Sequence, residues 1–308
     1  MFVKRNVSKL KNNFRRNNNL TLYFLIAPAF LSLLVWYYYP VAKSFIMSLY
    51  SWDGFLSARF IGLSNYKEAL TDPDFWMAMR NMLIILIFKL TIPFIIPFLV
   101  AELIMSIKSK WARDLYRTVL IIPMVVPVVV WALMWRNIYD YSNGFLNVFL
   151  KYIGLEVLVR NWLNDPVTAL GAILFISFPF VSSIALLIFS AGIEAIPTSI
   201  YDAVKIDGAN VFKRLTHIDI PFCIPQFRFL AITSFAGIIA DYTAVLLLTQ
   251  GRPMNRTLVP GYYIYRYSTT DMRYGYSSAV ALMLIILILI ITFLFQKYMK
   301  SETEYYAK

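Results

Sequence analysis

The chain has 308 residues, of which 59% are hydrophobic and 15% charged, with a mean hydropathy of +0.63. Soluble domains carry about a quarter charged residues and just under half apolar ones, so this composition excludes an ordinary water-soluble fold and places the chain in a membrane. The 29 Lys and Arg against 17 Asp and Glu leave a net charge of +12, in a membrane protein first a matter of topology; one cysteine, Cys223, excludes a disulfide framework or a thiolate metal site.

A helix that crosses the hydrocarbon layer needs about 20 mostly apolar residues. Six stretches meet that length: 20–39, 82–104, 115–135, 167–192, 222–249 and 277–296. They predict an all-α membrane protein with six transmembrane helices in one domain, 20–298, between a basic N-terminal segment, 1–19, and a short tail, 299–308. The first stretch is read as an anchored helix, because it ends in Trp36-Tyr37-Tyr38-Tyr39-Pro40 and has no small-residue cleavage site. With the N-terminus inside, 16 Lys and Arg fall on inner segments and 11 on the longer outer loops, so the positive-inside rule puts both termini in the cytoplasm. The basic N-terminal segment is accordingly a topology signal beside anionic lipid, and no nucleic-acid partner is expected. Segment 40–81 is expected to hold short surface helices with Trp52 and Trp76 at the interface. Trp36, Tyr37, Trp131 and Trp135 lie near predicted outer span ends and fit an aromatic belt.

The loop between the fourth and fifth stretches, 193–220, carries two short helices in its pattern. Ser199 followed by Asp202 is a capping-box-like start, Asp207-Gly208 supplies a turn at a glycine that accepts positive φ, and a second helix is expected from Ala209, stopping before Pro221. Ala203, Val204 and Ile206 share one turn, flanked by Asp202 and Lys205, and Ala203, Gly208 and Ala209 allow another backbone to come close. Physics alone leaves two readings open, a docking surface or an amphipathic helix lying on lipid.

The spacing Asp202-Ala203-x4-Gly208-x9-Ile218-x-Ile220-Pro221 resembles the EAA loop of binding-protein-dependent ABC importer permeases, Glu-Ala-Ala-x3-Gly-x9-Ile-x-Leu-Pro. Ile206-Asp207-Gly208-Ala209 with Phe212 looks like the extended form found in carbohydrate permeases. Asp202 stands for Glu, Val204 for the second Ala and Ile220 for Leu. Three further stretches are similar to family motifs in the same order: Phe60-Ile61-Gly62-Leu63-Ser64-Asn65-Tyr66, Leu246 to Pro253, and Tyr274-Gly275-Tyr276-Ser277-Ser278-Ala279. The resemblance implies a type I ABC importer permease fold whose cytoplasmic EAA coupling helix docks in a groove of an ATPase. Asp202 would pair with a basic ATPase residue, Ala203 would pack in the groove, and Gly208 would form the turn; Ile206, Asp207 and Ala209 complete the coupling set.

Absent motifs narrow the function further. The chain has no Gly-Lys pair, hence no phosphate loop, so ATP and Mg2+ are expected on partner ATPase subunits and no cofactor on this chain. The single histidine, His217, excludes His-Glu-x-x-His chemistry and is read as a surface or loop-packing residue; Cys223 is read as a packing residue. No catalytic residue and no metal ligand is expected, and the chain is read as a non-catalytic subunit.

A charge inside a span costs about 2.5–3.5 kcal/mol at mid-bilayer, so such residues face protein or water. Asp241, some 20 residues into the fifth stretch, either accepts hydrogen bonds from sugar hydroxyls while Tyr242 stacks on the ring, or pairs with a group of a partner subunit. Lys89 either snorkels outward or touches substrate, Arg228 snorkels or touches a gate, and Glu102 is read as interfacial. Pro93, Pro97, Pro123 and Pro127 predict kinks compatible with a pathway that opens and closes. Outer Arg252, Arg256, Arg266 and Arg273 would favour an acidic glycan, dock an acidic binding protein, or stay in water.

The expectation is a permease subunit of the bacterial inner membrane, paired with a second homologous permease, an ATPase dimer and an extracytoplasmic solute-binding protein. It would pass a sugar or oligosaccharide by alternating access. The alternatives are an importer of a phosphate ester, amino acid or peptide, and an ion-coupled secondary transporter; the latter would need paired intramembrane carboxylates or inverted repeats, and Asp241 stands nearly alone.

Overall fold

The computed structural model describes residues 23–55 and 57–299, so the expected roles of 1–19 and of the tail beyond Met299 lie outside the described residues. The first helix, α1 (Tyr23–Met47), runs past the expected end at 39. A π-helical turn over Leu34–Tyr38 precedes Pro40, a local adjustment of the helix just before a proline that lacks a backbone donor, and the helix continues to Met47. Strands β1 (Tyr50–Ser51) and β2 (Arg59–Phe60) pair antiparallel with Tyr50 opposite Phe60. Gly62 then turns the chain at φ +58° into α2 (Ser64–Thr71). The buried Asn65 donates to the carbonyls of Ser48 and Tyr50 at 2.8 and 3.0 Å, tying this hairpin to α2.

Helix α3 (Pro73–Ser106) is 34 residues long. Pro73 opens it, Asp72 caps it by accepting from the Asp74 N–H at 2.8 Å, and Asp74 adds negative charge to the positive helix end. At 1.5 Å per residue it measures about 51 Å against about 30 Å of hydrocarbon. The expected span 82–104 is therefore only its C-terminal two thirds, and Lys89 lies near its midpoint.

The third expected span is two pieces bent by 90°. Ser109 caps α4 (Lys110–Ile121), a tight turn covers Ile122–Val125, and α5 (Val128–Ile138) follows. The break falls where Pro127 forces the preceding Val126 into an extended conformation. A short helix, α6 (Phe145–Tyr152), precedes α7 (Ala169–Phe175). The fourth expected span, 167–192, is broken as well: α7 stops at Phe175, residues 176–182 are irregular around Pro179 and the positive-φ Phe180, and α8 is Ser183–Glu194.

Bent 70° away from α8 lies α9 (Thr198–Ile206), followed by α10 (Val211–Arg214), a π turn over Leu215–Asp219 and a short turn to Phe222. This helical path runs through Pro221 instead of stopping before it, with the π turn of Leu215–Asp219 adjusting the helix just before the proline. Next come α11 (Ile224–Ala240), α12 (Thr243–Leu248), α13 (Pro260–Tyr265) and α14 (Tyr274–Tyr298). Among the described residues, four helical stretches are long and apolar enough to cross a membrane, α1, α3, α11 with α12, and α14; the number rises to six if α4 with α5 and α8 with α9 each count as one.

Two cores lie along the bundle. One joins Phe75, Met82, Ile85, Trp135, Phe235, Tyr263 and Tyr276, and the other joins Phe94, Phe98, Ala101, Phe189, Cys223 and Leu230. Trp135 is buried beside Tyr139 and Phe175, and the Trp131 indole donates to the Ile176 carbonyl at 2.7 Å, so both pack against the protein itself. Gly275 is required where it stands, since a Cβ there would lie 1.9 Å from the Tyr50 carbonyl oxygen.

Candidate functional site

The expected coupling residues form one exposed surface at the end of the molecule that also carries Ser106. Helix α9 starts at Thr198, one residue before the predicted cap, so Ser199 is a first-turn residue and Pro197 precedes the helix without a side-chain cap. Asp202, Ala203, Ile206, Asp207 and Gly208 are exposed and Ala209 is half-buried. Ile206 is 87% exposed, and Phe212 beyond the turn 74%. Asp202 takes an ion pair from Lys205 at 3.4 Å, one turn along the same face. Gly208 adopts φ +67° and has open space where a Cβ would project. The second helix starts later than the expected Ala209: Asn210 caps it, accepting from the Lys213 N–H at 2.8 Å. His217 is exposed, its Nδ1 within 3.1 Å of the Lys213 carbonyl.

Under this surface lies a buried charge cluster that the sequence did not announce. Glu102 is 6% exposed, which corrects the interfacial reading, and Asp219 is fully buried. Arg214 Nη2 donates to Glu102 Oε2 at 2.6 Å and its Nε to Asp219 Oδ2 at 2.9 Å, while the Tyr201 hydroxyl donates to Asp219 Oδ1 at 2.9 Å. Burial opposes the charge on Arg214, but Asp219 and Glu102 outweigh it and hold the guanidinium above its ordinary pKa. Beside the cluster is a cavity of about 510 Å³ between the ends of α3 and α8 and the α9 to α10 turn.

The predicted substrate residues divide. Lys89 and Asp241 line one cavity of about 210 Å³, together with Trp131, Ser177 and Ile238. The irregular end of α7 opens on it at Ser177, and the junction of α11 and α12 at Asp241. Asp241 is not inside a helix, as its place in the fifth stretch suggested; it is exposed at the break, and its carboxylate accepts from the Thr243 N–H at 2.9 Å to start α12. Tyr242 turns away, stacked on Tyr265 at 4.9 Å and 21°, and lines a different cavity with Ser268. Lys89 also borders a neighbouring cavity of about 270 Å³ with Phe94 and Phe180.

At the opposite end, two of the four arginines read as outer are committed. Arg273 grips Glu68 through two bonds of 2.7 Å, and Arg266 meets Asp74 at 3.3 Å. Arg252 and Arg256 are exposed on the loop between α12 and α13. Arg228 donates to the Met299 carbonyl at 2.9 Å, joining α11 to the end of α14.

Residues 100–303 match the family described as binding-protein-dependent transport system inner membrane component. The chain belongs to that family. This inner-membrane component is 30% identical to the Probable ABC transporter permease protein YurN of Bacillus subtilis, over 93% of this chain and 98% of the relative. It is 26% identical to the lactose transport system permease protein of Rhizobium radiobacter, over 92% and 95% of the two chains. Its fold matches a chain of a bacterial ABC transporter that imports the acidic polysaccharide alginate, with a TM-score of 0.81 at 21% identity, covering 94% of this chain and 98% of that one. The type I importer reading of the fold thus stands, with bent and broken spans in place of straight ones.

Proposed function

We propose that this chain is a permease subunit of an ATP-driven importer, passing a sugar or oligosaccharide delivered by an extracytoplasmic binding protein. The observation that carries the reading is the α9 to α10 turn. There Asp202, Ala203, Ile206 and Asp207 stand exposed around an open, left-handed Gly208, on a segment bent sharply from the helix before it. Such a surface suits the groove of a partner ATPase that holds ATP and Mg2+. This end of the molecule is then cytoplasmic, as are both termini, in a bacterial inner membrane.

A second homologous permease would cover part of the apolar surface this subunit exposes and complete the path. In alternating access, closure of the ATPase dimer moves the coupling segment, the helices open outward to receive sugar, and hydrolysis restores the inward-facing state. Lys89 and Asp241 would meet the sugar in the cavity they share, with charge and hydrogen-bonding capacity already in place. Sugar transport by relatives such as the lactose permease supports the substrate class. A thermal-shift screen of the binding protein against glycans names the sugar to use. With it, Gly208→Val in the reconstituted complex is expected to leave insertion intact and to abolish both uptake and sugar-stimulated ATP hydrolysis; survival of both would overturn the coupling assignment.

A further inference from the structure

We propose that Arg214 is the joint that fastens the coupling segment to α3, so that a movement of α9 and α10 passes to the second span as well as to the spans flanking the loop. The inference rests on the coupling role proposed above. Arg214 ends α10, and its two carboxylate partners come from elsewhere: Glu102 from α3, 112 residues away in sequence, and Asp219 from the π turn. Tyr201 brings in α9, bonding Asp219 through its hydroxyl and lying under the guanidinium at 5.8 Å. Four segments therefore meet at one side chain.

The joint is strong because both of its carboxylates are buried. Exposed ion pairs are screened by water and salt, but Asp219 and Glu102 are withdrawn from solvent and both meet the half-buried guanidinium of Arg214. A planar guanidinium holds two carboxylates at a fixed angle, which a single-point ammonium cannot do. Neither α9 nor α10 has a fully buried residue of its own, so the cluster is a main internal attachment of the segment.

It is also built to turn. Glu102 Oε1 is buried without a hydrogen-bond partner, which gives the guanidinium a second acceptor on the same carboxylate to slide toward. The cavity of about 510 Å³, bordered by Glu102, Ser106, Tyr201 and Val204, leaves room for α9 to shift without repacking a core. α9 can rotate against α3 while Arg214 keeps its grip.

The test uses the full complex with a Cys223→Ser background and spin labels at two exposed positions, Ser106→Cys on α3 and Ser199→Cys on α9. With Arg214 present, the distance between labels is expected to be single and narrow both without nucleotide and after trapping with ATP and vanadate. In Arg214→Gln the distribution should broaden, and trapping should shift it further than the limited turn of the native chain does, because α9 is no longer tied to α3. Glu102→Gln, nearly isosteric, should reproduce that loss, and combining it with Arg214→Gln should add nothing. Arg214→Lys should restore the narrow distance only in part. A narrow distance in all variants, or a shift on trapping as large in the native chain as in Arg214→Gln, would overturn the joint. Failure of the ATPase to co-purify with the native chain would instead remove the proposed function, and the width of the distribution in the chain alone would still decide whether Arg214 ties α9 to α3.

Discussion

At its N-terminal end α3 enters a web in which Asp72 and Asp74 accept hydrogen bonds from Tyr263, Tyr267, Asn255 and Arg266, while at its C-terminal end Glu102 meets Arg214. Both ends put carboxylates of one helix against cations and hydroxyls from distant parts of the chain. They differ in redundancy. At the N-terminal end the Tyr263 hydroxyl also bonds Tyr276 at 2.5 Å, Arg273 lies 4.6 Å from the Tyr276 ring, and α13 and α14 share the load. At the C-terminal end one guanidinium carries two buried carboxylates. A web with many strands holds a fixed frame, and a single guanidinium pivot suits a part that must move against its neighbours.

The contrast predicts unequal responses to single substitutions. Arg214→Gln leaves buried charge uncompensated and should cost about 3–5 kcal/mol, read as loss of thermal stability in nanodiscs. Gly275→Ala drives a Cβ into the Tyr50 carbonyl and should cost about 1–3 kcal/mol, checked by earlier proteolysis of the β1–β2 hairpin. Tyr263→Phe removes one hydroxyl from the web and should cost about 1–2 kcal/mol, because Tyr267 and Asn255 remain; a loss as large as that of Arg214→Gln would break the comparison. Glu68→Gln weakens an exposed pair with Arg273 and should change stability by about 0.2–1 kcal/mol, falling further in high salt.

What was legible in the sequence follows from what each signal measures. Apolar runs located the spans, and Asp207-Gly208 located the turn, because a left-handed glycine leaves a local mark. The breaks at 176–182 and 241–242 escaped the span reading, since hydropathy records composition and the run Ile176-Ser177-Phe178-Pro179-Phe180-Val181 stays apolar while its helix ends. Asp241 did leave a local hint: an Asp two residues before Thr243 is the spacing of a side chain that caps its own backbone. Glu102 left none. Its burial depends on a partner 112 residues away, and nothing near Glu102 distinguishes it from a carboxylate at the membrane surface.

Helix α3 is fixed by charge at both ends, at Asp72 and Asp74 on one side and at Glu102 on the other, so it acts as a ruler. Inserting one residue between them would advance Glu102 by 1.5 Å and rotate it by about 100°, off the guanidinium entirely. Substitutions on its lipid face can drift freely, whereas the number of residues between the two charged ends cannot. Pro93 and Pro97 are the marks along that ruler where it can flex without changing its length.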